Sequence, residues 1–365
     1  STDAGAKKVD KSLGDAYTPF SFGTRTATSI FMYSFSGGPE RGGTISEIKI
    51  ASADVSTPSS IIVEAISKLK ENLFYLQTDG KFFFTNQPNL NRVLLNKMDN
   101  IEDPELQAEE KDLLTSRLKK EHFEIFLWPR DSKDIPDTKS LKLIIQQNHN
   151  EAKCKELVEN HGERPRVYRN TLIFLCPLDS ERLTFEKYVK RKKAWYYVDT
   201  DKNLSLSFEQ RKEVKDNLKK AETNVKEHLR NLYRIVLLPA KDTFKEIDLG
   251  IPPYGADATI DKEVYDRLRS ESEILPKFAP FTLREKYLRD REFAETKNIL
   301  ESFYKTPGEI RIVSDNVLKT CINEGVNQGL FGAGNLEDEK PVSRYFKAEV
   351  SPELLEGEVL IRADL

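Results

Sequence analysis

Apolar and polar positions between Thr24 and Arg92 follow a pattern that predicts three helices and then a β-hairpin. A second helix is predicted to begin at Thr44, where Glu47 completes a capping box. The first and third helices carry apolar residues every three or four positions, so each is expected to bury one face. The apolar residues of the first helix are Ala27, Ile30, Phe31 and Phe35, and this helix is predicted to end at Gly37 and Gly38. The apolar residues of the third helix are Ile62, Ile66, Leu69 and Leu73.

The aromatic segment after the third helix predicts the hairpin. Thr78, Asp79 and Gly80 separate two strand-like runs, 74–76 and 81–84, and an Asp-Gly turn between such runs is typical of a hairpin. Helices followed by a hairpin wing indicate a winged helix-turn-helix, which most often places its third helix against duplex DNA. The predicted DNA-binding residues on that helix, the wing and the segment after it are Ser60, Ser67, Lys68, Lys70, Lys81 and Arg92.

The charge of this module leaves two functions open. It holds seven Lys or Arg against six Asp or Glu, whereas a domain that binds phosphates usually has a basic stripe. DNA contact by the module and pure protein scaffolding are therefore competing hypotheses, because winged helices serve both roles.

From about Phe123 the pattern changes to short buried strands that alternate with helices, which predicts an α/β domain with a mostly parallel sheet. After a Pro- and Gly-rich segment, a C-terminal α+β domain is expected, with a helix over 315–327 and a final hairpin that could make it winged-helix-like. The predicted fold class is thus α/β multidomain. The expected divisions are a polar tail (1–18), the winged helix (19–95), the α/β domain (96–250) and the C-terminal domain (251–365).

Composition favours a soluble protein with much exposed helix surface. Hydrophobic residues make up 38%, charged residues 32%, and the net charge is −3. Three widely spaced cysteines give neither a disulfide framework nor a CxxC metal site, and no apolar run is long enough to span a membrane. We therefore expect a cytoplasmic protein without a membrane partner.

The search for catalytic motifs mostly fails. The lone Gly-Lys pair, Gly80 and Lys81, has Tyr75 where a phosphate-binding loop needs its first glycine. The four histidines lack metal-ligand spacing. We expect no catalytic residue, no metal and no cofactor in this chain, and thus no enzyme activity of its own.

One basic-aromatic cluster offers a secondary nucleic-acid site. Cations beside aromatics can hold phosphates and stack bases. The alternative is that the cations sit at a helix C-terminus while the aromatics enter the core. The cluster consists of Lys190, Arg191, Lys192, Lys193 and Trp195.

Several separated blocks resemble large prokaryotic AAA+-type ATPases that carry a domain of unknown function and are often encoded beside phage-resistance genes. The blocks are Thr26 to Phe35, Gly43-Thr44 with Glu47 to Lys49, Phe83 to Arg92, Gly162 to Leu175, and Glu324 to Val326 with Gly329 to Gly332. The resemblance implies a C-terminal half of such an ATPase, since the family's nucleotide-binding loop precedes the winged helix and nothing here matches it. It implies ATP and Mg²⁺ as cofactors of the parent family only.

The sequence thus predicts an accessory region of a DNA-linked defence ATPase, whose winged helix contacts DNA or couples to the ATPase core. The expected partners are an upstream ATPase region or neighbouring defence proteins, with duplex DNA and a second copy of the chain as further candidates. If a face normally packs on an ATPase core, an apolar patch is expected near Phe20, Phe22 and Met32. The alternative function is a protein-interaction scaffold without nucleic-acid binding.

Overall fold

A computed structural model describes residues 5–35, 41–56, 58–251 and 258–364. These residues form an α/β protein with thirteen α-helices and mixed β-sheets. The chain divides into two compact units: unit 1 comprises residues 1–109 and 186–226, and unit 2 comprises residues 110–185 and 227–365. This division differs from the expected boundaries, because residues 186–226 belong with the N-terminal segment and residues on both sides of position 250 belong to one unit.

Unit 1 is built from helices and one hairpin. Its apolar core joins the first four helices to the hairpin, with Phe22, Ile30, Ile48 and Leu69 fully buried. The helices that begin in the N-terminal segment are α1 (Gly5–Ser12), α2 (Phe22–Tyr33), α3 (Ile45–Ser52), α4 (Ser60–Asn72), α5 (Leu90–Asp99) and α6 (Asp103–Ser116), and the hairpin strands are β1 (Leu76–Asp79) and β2 (Lys81–Phe84).

Three local predictions for unit 1 are confirmed. The Thr44 hydroxyl accepts the Glu47 backbone N–H while the Glu47 carboxylate accepts the Thr44 backbone N–H, which is the expected capping box. Ile62, Ile66 and Leu69 form the buried face of α4. The hairpin turns at Gly80, whose positive φ of 70° suits glycine. The segment predicted as a polar tail instead contains α1, and the predicted stops at Gly37, Gly38 and Thr57 lie outside the described residues.

Unit 2 contains a five-stranded sheet in the order β3-β4-β7-β8-β9. β3, β4 and β7 pair in parallel, and β8 pairs antiparallel with both β7 and β9, so four of the five strands run in one direction and the sheet is mixed. The connection from β7 to β8 contains two helices, and the connection from β8 to β9 is a short turn. Neither is the strand–helix–strand unit that joins parallel strands. The elements of this part of the chain are β3 (Glu124–Leu127), β4 (Lys142–Ile145), α7 (Glu151–Glu159), β5 (Asn160–His161), β6 (Arg164–Pro165), β7 (Leu172–Pro177), α8 (Arg182–Thr200), α9 (Phe208–Leu232), β8 (Tyr233–Pro239) and β9 (Phe244–Asp248). Most of α8 and of α9 belongs to unit 1.

The remainder of unit 2 is α+β, as expected, with a four-stranded antiparallel sheet in the order β11-β15-β13-β14. Its helices bury a second apolar core around Phe303, Leu318 and Phe331. The elements are α10 (Ile260–Ser270), β10 (Ile274–Leu275), α11 (Pro280–Tyr287), β11 (Phe293–Glu295), α12 (Thr296–Lys305), β12 (Arg311–Ile312), α13 (Asp315–Asn327), β13 (Phe331–Glu337), β14 (Lys340–Tyr345) and β15 (Glu358–Arg362).

Buried polar contacts join this part of unit 2 to the five-stranded sheet. The Asn170 side-chain amide donates to the carbonyl oxygens of Phe303 and Glu309 at 2.8 and 2.9 Å. Arg311 is buried, donates to Pro239 O at 3.1 Å and lies 3.2 Å from the Glu273 carboxylate. These contacts explain why the expected boundary near residue 250 does not separate two units. In the described part of the chain, no helix is both long and apolar enough to cross a membrane.

Candidate functional site

The exposed side of α4 carries hydroxyls and carboxylates. Ser60, Ser67 and Glu71 lie within about 40° of one another around the helix axis, at about 100° per residue. Glu64 extends the same stripe, and all four residues are exposed. Two carboxylates on the face that would approach DNA repel phosphate, so this stripe suits a duplex poorly.

Lys68 and Lys70 flank that stripe on opposite sides, about 160° apart. Lys68 is engaged within the unit: its Nζ donates to Ser12 O at 2.5 Å and lies 3.0 Å from the Glu64 carboxylate. Lys70 is exposed. The structure therefore does not bring these two predicted DNA-binding lysines to a common face.

The other two predicted cations contact different elements. Lys81, on β2, is close enough to Glu47 for its charge to help lower the pKa of that carboxyl, although the Thr44 N–H bond is the larger cause. Arg92, on α5, is half-buried, with its Cζ 5.9 Å from the centre of the Phe74 ring. The predicted set is thus distributed over several surfaces of unit 1.

The basic-aromatic cluster lies within a helix rather than at its end, because α8 continues to Thr200. Lys192 pairs with Glu109, and Lys193 lies 3.4 Å from Glu105 and 3.9 Å from Glu109. Trp195 is only 3% exposed. The two lysines therefore join α8 to α6 within unit 1, and they do not lie at a helix C-terminus. The interpretation that the aromatics enter the core describes Trp195.

Two members of the cluster are accessible to solvent: Lys190 is half-buried and Arg191 is exposed. Tyr197, beside the cluster, donates its hydroxyl to Glu105, and this bond raises the pKa of Tyr197 to about 12. Glu105 and Glu109 are spaced four residues apart, so they share one face of α6. The four-residue spacing of these two glutamates is the signal in the sequence that could have identified them as partners of Lys192 and Lys193.

An aromatic patch, defined as Phe31, Met32, Phe35 and Phe84, is a surface feature of which the sequence interpretation identified only Met32. The first three are 50%, 65% and 70% exposed. The Phe31 ring centre lies 4.8 Å from that of Phe35 and 6.1 Å from that of Phe84, so the rings form one surface. The prediction that Phe31 and Phe35 lie on the buried face is wrong, because only Ile30 of that run is buried. Phe31 points about 100° away from Ile30 around the helix, and Phe35 lies beyond the end of α2.

Arg41 and the β2 backbone fix one side of the aromatic patch. Arg41 donates to Phe84 O at 2.6 Å, and its Cζ lies 5.0 Å from the centre of the Phe83 ring. The Ser34 hydroxyl accepts the Phe84 backbone N–H at 2.7 Å. The patch was expected near Phe20, Phe22 and Met32; Met32 belongs to it, whereas Phe22 is fully buried and Phe20 is half-buried.

The carboxyl end of the parallel strands, where α/β proteins commonly bind ligands, is occupied here by the protein's own side chains. Arg182 donates to both oxygens of Glu110 at 2.8 and 2.7 Å, and Tyr233 donates to the same carboxylate at 2.6 Å. Burial is the main reason that the pKa of Tyr233 is raised. Trp128 follows β3 with a positive φ of 54°, an uncommon conformation for a bulky residue.

Within the described ranges, no three His, Cys, Asp or Glu side chains form a group that could hold a metal ion. Cys154, Cys176 and Cys321 are buried, and none of them is in a disulfide. No protein-family model, curated protein or solved structure matches the chain.

Proposed function

We propose that this chain is an accessory, non-catalytic region of a DNA-linked ATPase of the phage-defence type, and that its N-terminal unit is a winged-helix module that binds the ATPase core. The order of α2, α3 and α4 followed by the β1–β2 hairpin supports the winged-helix interpretation. The resemblance of the chain to AAA+-type ATPases supports the choice of partner, because in that family the nucleotide-binding part precedes this module.

The exposed aromatic patch carries the proposal. Aromatic residues, Met and Arg are the types enriched at the centres of protein interfaces, and the patch with Arg41 consists of these types. Burying one Phe or Met side chain contributes roughly 1.5–3 kcal/mol. Phe31, Met32 and Phe35 can therefore supply enough apolar burial for a specific contact, whereas the charges on α4 do not favour phosphate.

Sedimentation velocity of the chain mixed with a nucleotide-binding region of the resembling ATPases tests this function. The wild-type chain is expected to co-sediment with that region, and Phe31→Ser with Phe35→Ser is expected to abolish co-sedimentation. Phe208→Ser is the matched control, because Phe208 is an 80% exposed phenylalanine of unit 1 outside the patch. A wild-type chain that sediments alone, or a double variant that still co-sediments, contradicts the proposal.

Duplex DNA contact through α4 and the hairpin is the second candidate function. Exposed Lys70, on the same helix as the exposed hydroxyls of Ser60 and Ser67, favours it. If the chain binds a generic duplex, Lys70→Glu should lower the salt slope of the binding constant by about one unit, as the loss of one phosphate contact does. If Lys68→Glu with Lys81→Glu leaves affinity and salt slope unchanged in a folded protein, these two lysines do not contact the duplex, and Lys190, Arg191 and Lys192 should be tested next.

A further inference from the structure

Unit 2 contains an open groove of about 450 Å³ that the proposed function does not use. One wall is the face of α7 that carries Ala152, and another is the turn between β8 and β9. Pro307, which follows α12, closes a third side. The volume lies within the range of small-molecule sites, and a junction between packed parts of a protein is a common place for them.

The apolar part of the groove is fixed by its surroundings. Val158, Pro239 and Phe244 contribute to the lining, and the Phe244 ring packs edge-on against buried Phe174 with ring centres 5.8 Å apart. Pro239 O accepts the Gly308 backbone N–H at 2.9 Å, which holds the turn against the segment after α12. A ligand would therefore meet a preformed apolar surface.

Arg169 supplies a positioned cation in the same groove. Its Nε donates to Arg166 O at 3.0 Å, and Arg166 is itself buried and donates to Leu157 O at 2.8 Å. No hydrogen bond or ion pair within the described ranges uses the two terminal nitrogens of Arg169. An arginine held through Nε presents its terminal N–H groups as a fork, which matches a carboxylate or phosphate group.

The charges that line the groove balance one another when Arg169 is included. Besides Arg169, the lining has two lysines and three carboxylates, and Lys155 lies 3.9 Å from Glu159. The groove therefore has no net positive field that would attract any anion, so selection depends on the Arg169 fork and the apolar surface together. The other charged lining residues are Lys241, Glu151 and Asp242.

We propose that this groove binds a small organic anion, with its carboxylate or phosphate on Arg169 and an apolar body against Val158, Pro239 and Phe244. Phenyl phosphate and phenylacetate combine both features, whereas inorganic phosphate lacks the body and benzyl alcohol lacks the charge. At least one aromatic anion should bind at least tenfold more tightly than the other two probes, and its identity distinguishes a phosphate site from a carboxylate site.

Isothermal titration calorimetry of the full chain with these four probes tests the proposal. Arg169→Gln should weaken binding of the preferred anion at least tenfold, and Ala152→Trp, which fills the groove from an exposed helix position, should abolish it. Arg164→Gln is the matched control, because Arg164 is exposed on β6 and is not part of the groove lining. Circular dichroism should confirm that each variant is folded.

Failure of both aromatic anions to bind at millimolar concentration overturns the proposal. Unchanged affinity in folded Arg169→Gln or in folded Ala152→Trp also overturns it, because binding would then occur elsewhere. None of these results bears on the aromatic patch, which belongs to unit 1.

Discussion

At the scale of single residues, buried charges determine how unit 2 tolerates substitution. Glu110 has a 5% exposed side chain and is satisfied by Arg182 and Tyr233. Removing one partner of a buried ion pair leaves an uncompensated charge, which costs more than the pair itself contributes. Exposed pairs such as Arg344 with Glu337 lack this penalty because water solvates each member.

Arg182→Met is therefore expected to lower the free energy of unfolding by about 3–5 kcal/mol. Arg344→Met, which removes the arginine of an exposed pair, should change it by less than about 1 kcal/mol. Urea unfolding followed by circular dichroism measures both values. Equal, small losses would show that the Glu110 carboxylate is not stabilised as the structure implies.

Lys142 gives unit 2 a pH-dependent stability. Its ammonium group is buried and donates to Thr138 O and Ser140 O, both at 2.7 Å, and burial lowers its pKa from 10.5 to about 8. Between pH 8 and the usual lysine pKa, the unfolded chain therefore binds more protons than the folded chain. By linkage, the contribution of Lys142 to stability rises with pH across that window.

The wild-type protein should therefore gain roughly 1–2 kcal/mol of unfolding free energy relative to Lys142→Met between pH 8 and pH 9.5. Comparing the variant with the wild type at each pH removes the contribution of other groups that titrate there. Urea unfolding at the two pH values provides the measurement. If the unfolding free energy of the wild type minus that of Lys142→Met stays constant or falls as the pH rises, Lys142 is not held in the way described.

At the scale of elements, local signals predicted where helices begin, and tertiary contacts decided which faces are buried. The Thr44 capping box and the Asp79-Gly80 turn depend only on neighbouring residues, so sequence sufficed for both. The exposure of Phe31 and Phe35 could not be derived in this way, because an apolar residue at helical spacing looks the same whether it faces the core or a partner.

The extent of α8 provides a test at this scale, since the helix carries Trp195 into the interior. Trp195→Ala should lower the unfolding free energy by about 3–5 kcal/mol, as other buried tryptophan truncations do. Tyr196→Ala, at a half-exposed neighbouring position, should change it by no more than about 0.5 kcal/mol. Thermal or urea unfolding measures both changes. Similarly small losses of unfolding free energy in the two variants would contradict the packing of α8.

At the scale of the whole molecule, the division into units depends on contacts between distant parts of the chain. The pairs of Lys192 and Lys193 with Glu105 and Glu109 place residues 186–226 with the N-terminal segment. Sequence patterns depend on residues that are close along the chain. They therefore predicted the strands of the α/β domain, but not that residues 186–226 belong with the N-terminal segment. The predicted DNA surface is a different case, because Lys68 and Lys70 lie two positions apart on α4 and this spacing alone places them on different faces of the helix.

Amide hydrogen exchange of the chain, alone and mixed with the nucleotide-binding region of the resembling ATPases, tests the proposed coupling function most directly. The proposal predicts slower exchange in peptides that cover the C-terminal end of α2 and strand β2, which carry the aromatic patch, and unchanged exchange in α4. The Phe31→Ser, Phe35→Ser variant should show no such slowing. Slowed exchange in α4 on addition of duplex DNA, with no change at the patch when the ATPase region is added, would contradict the account.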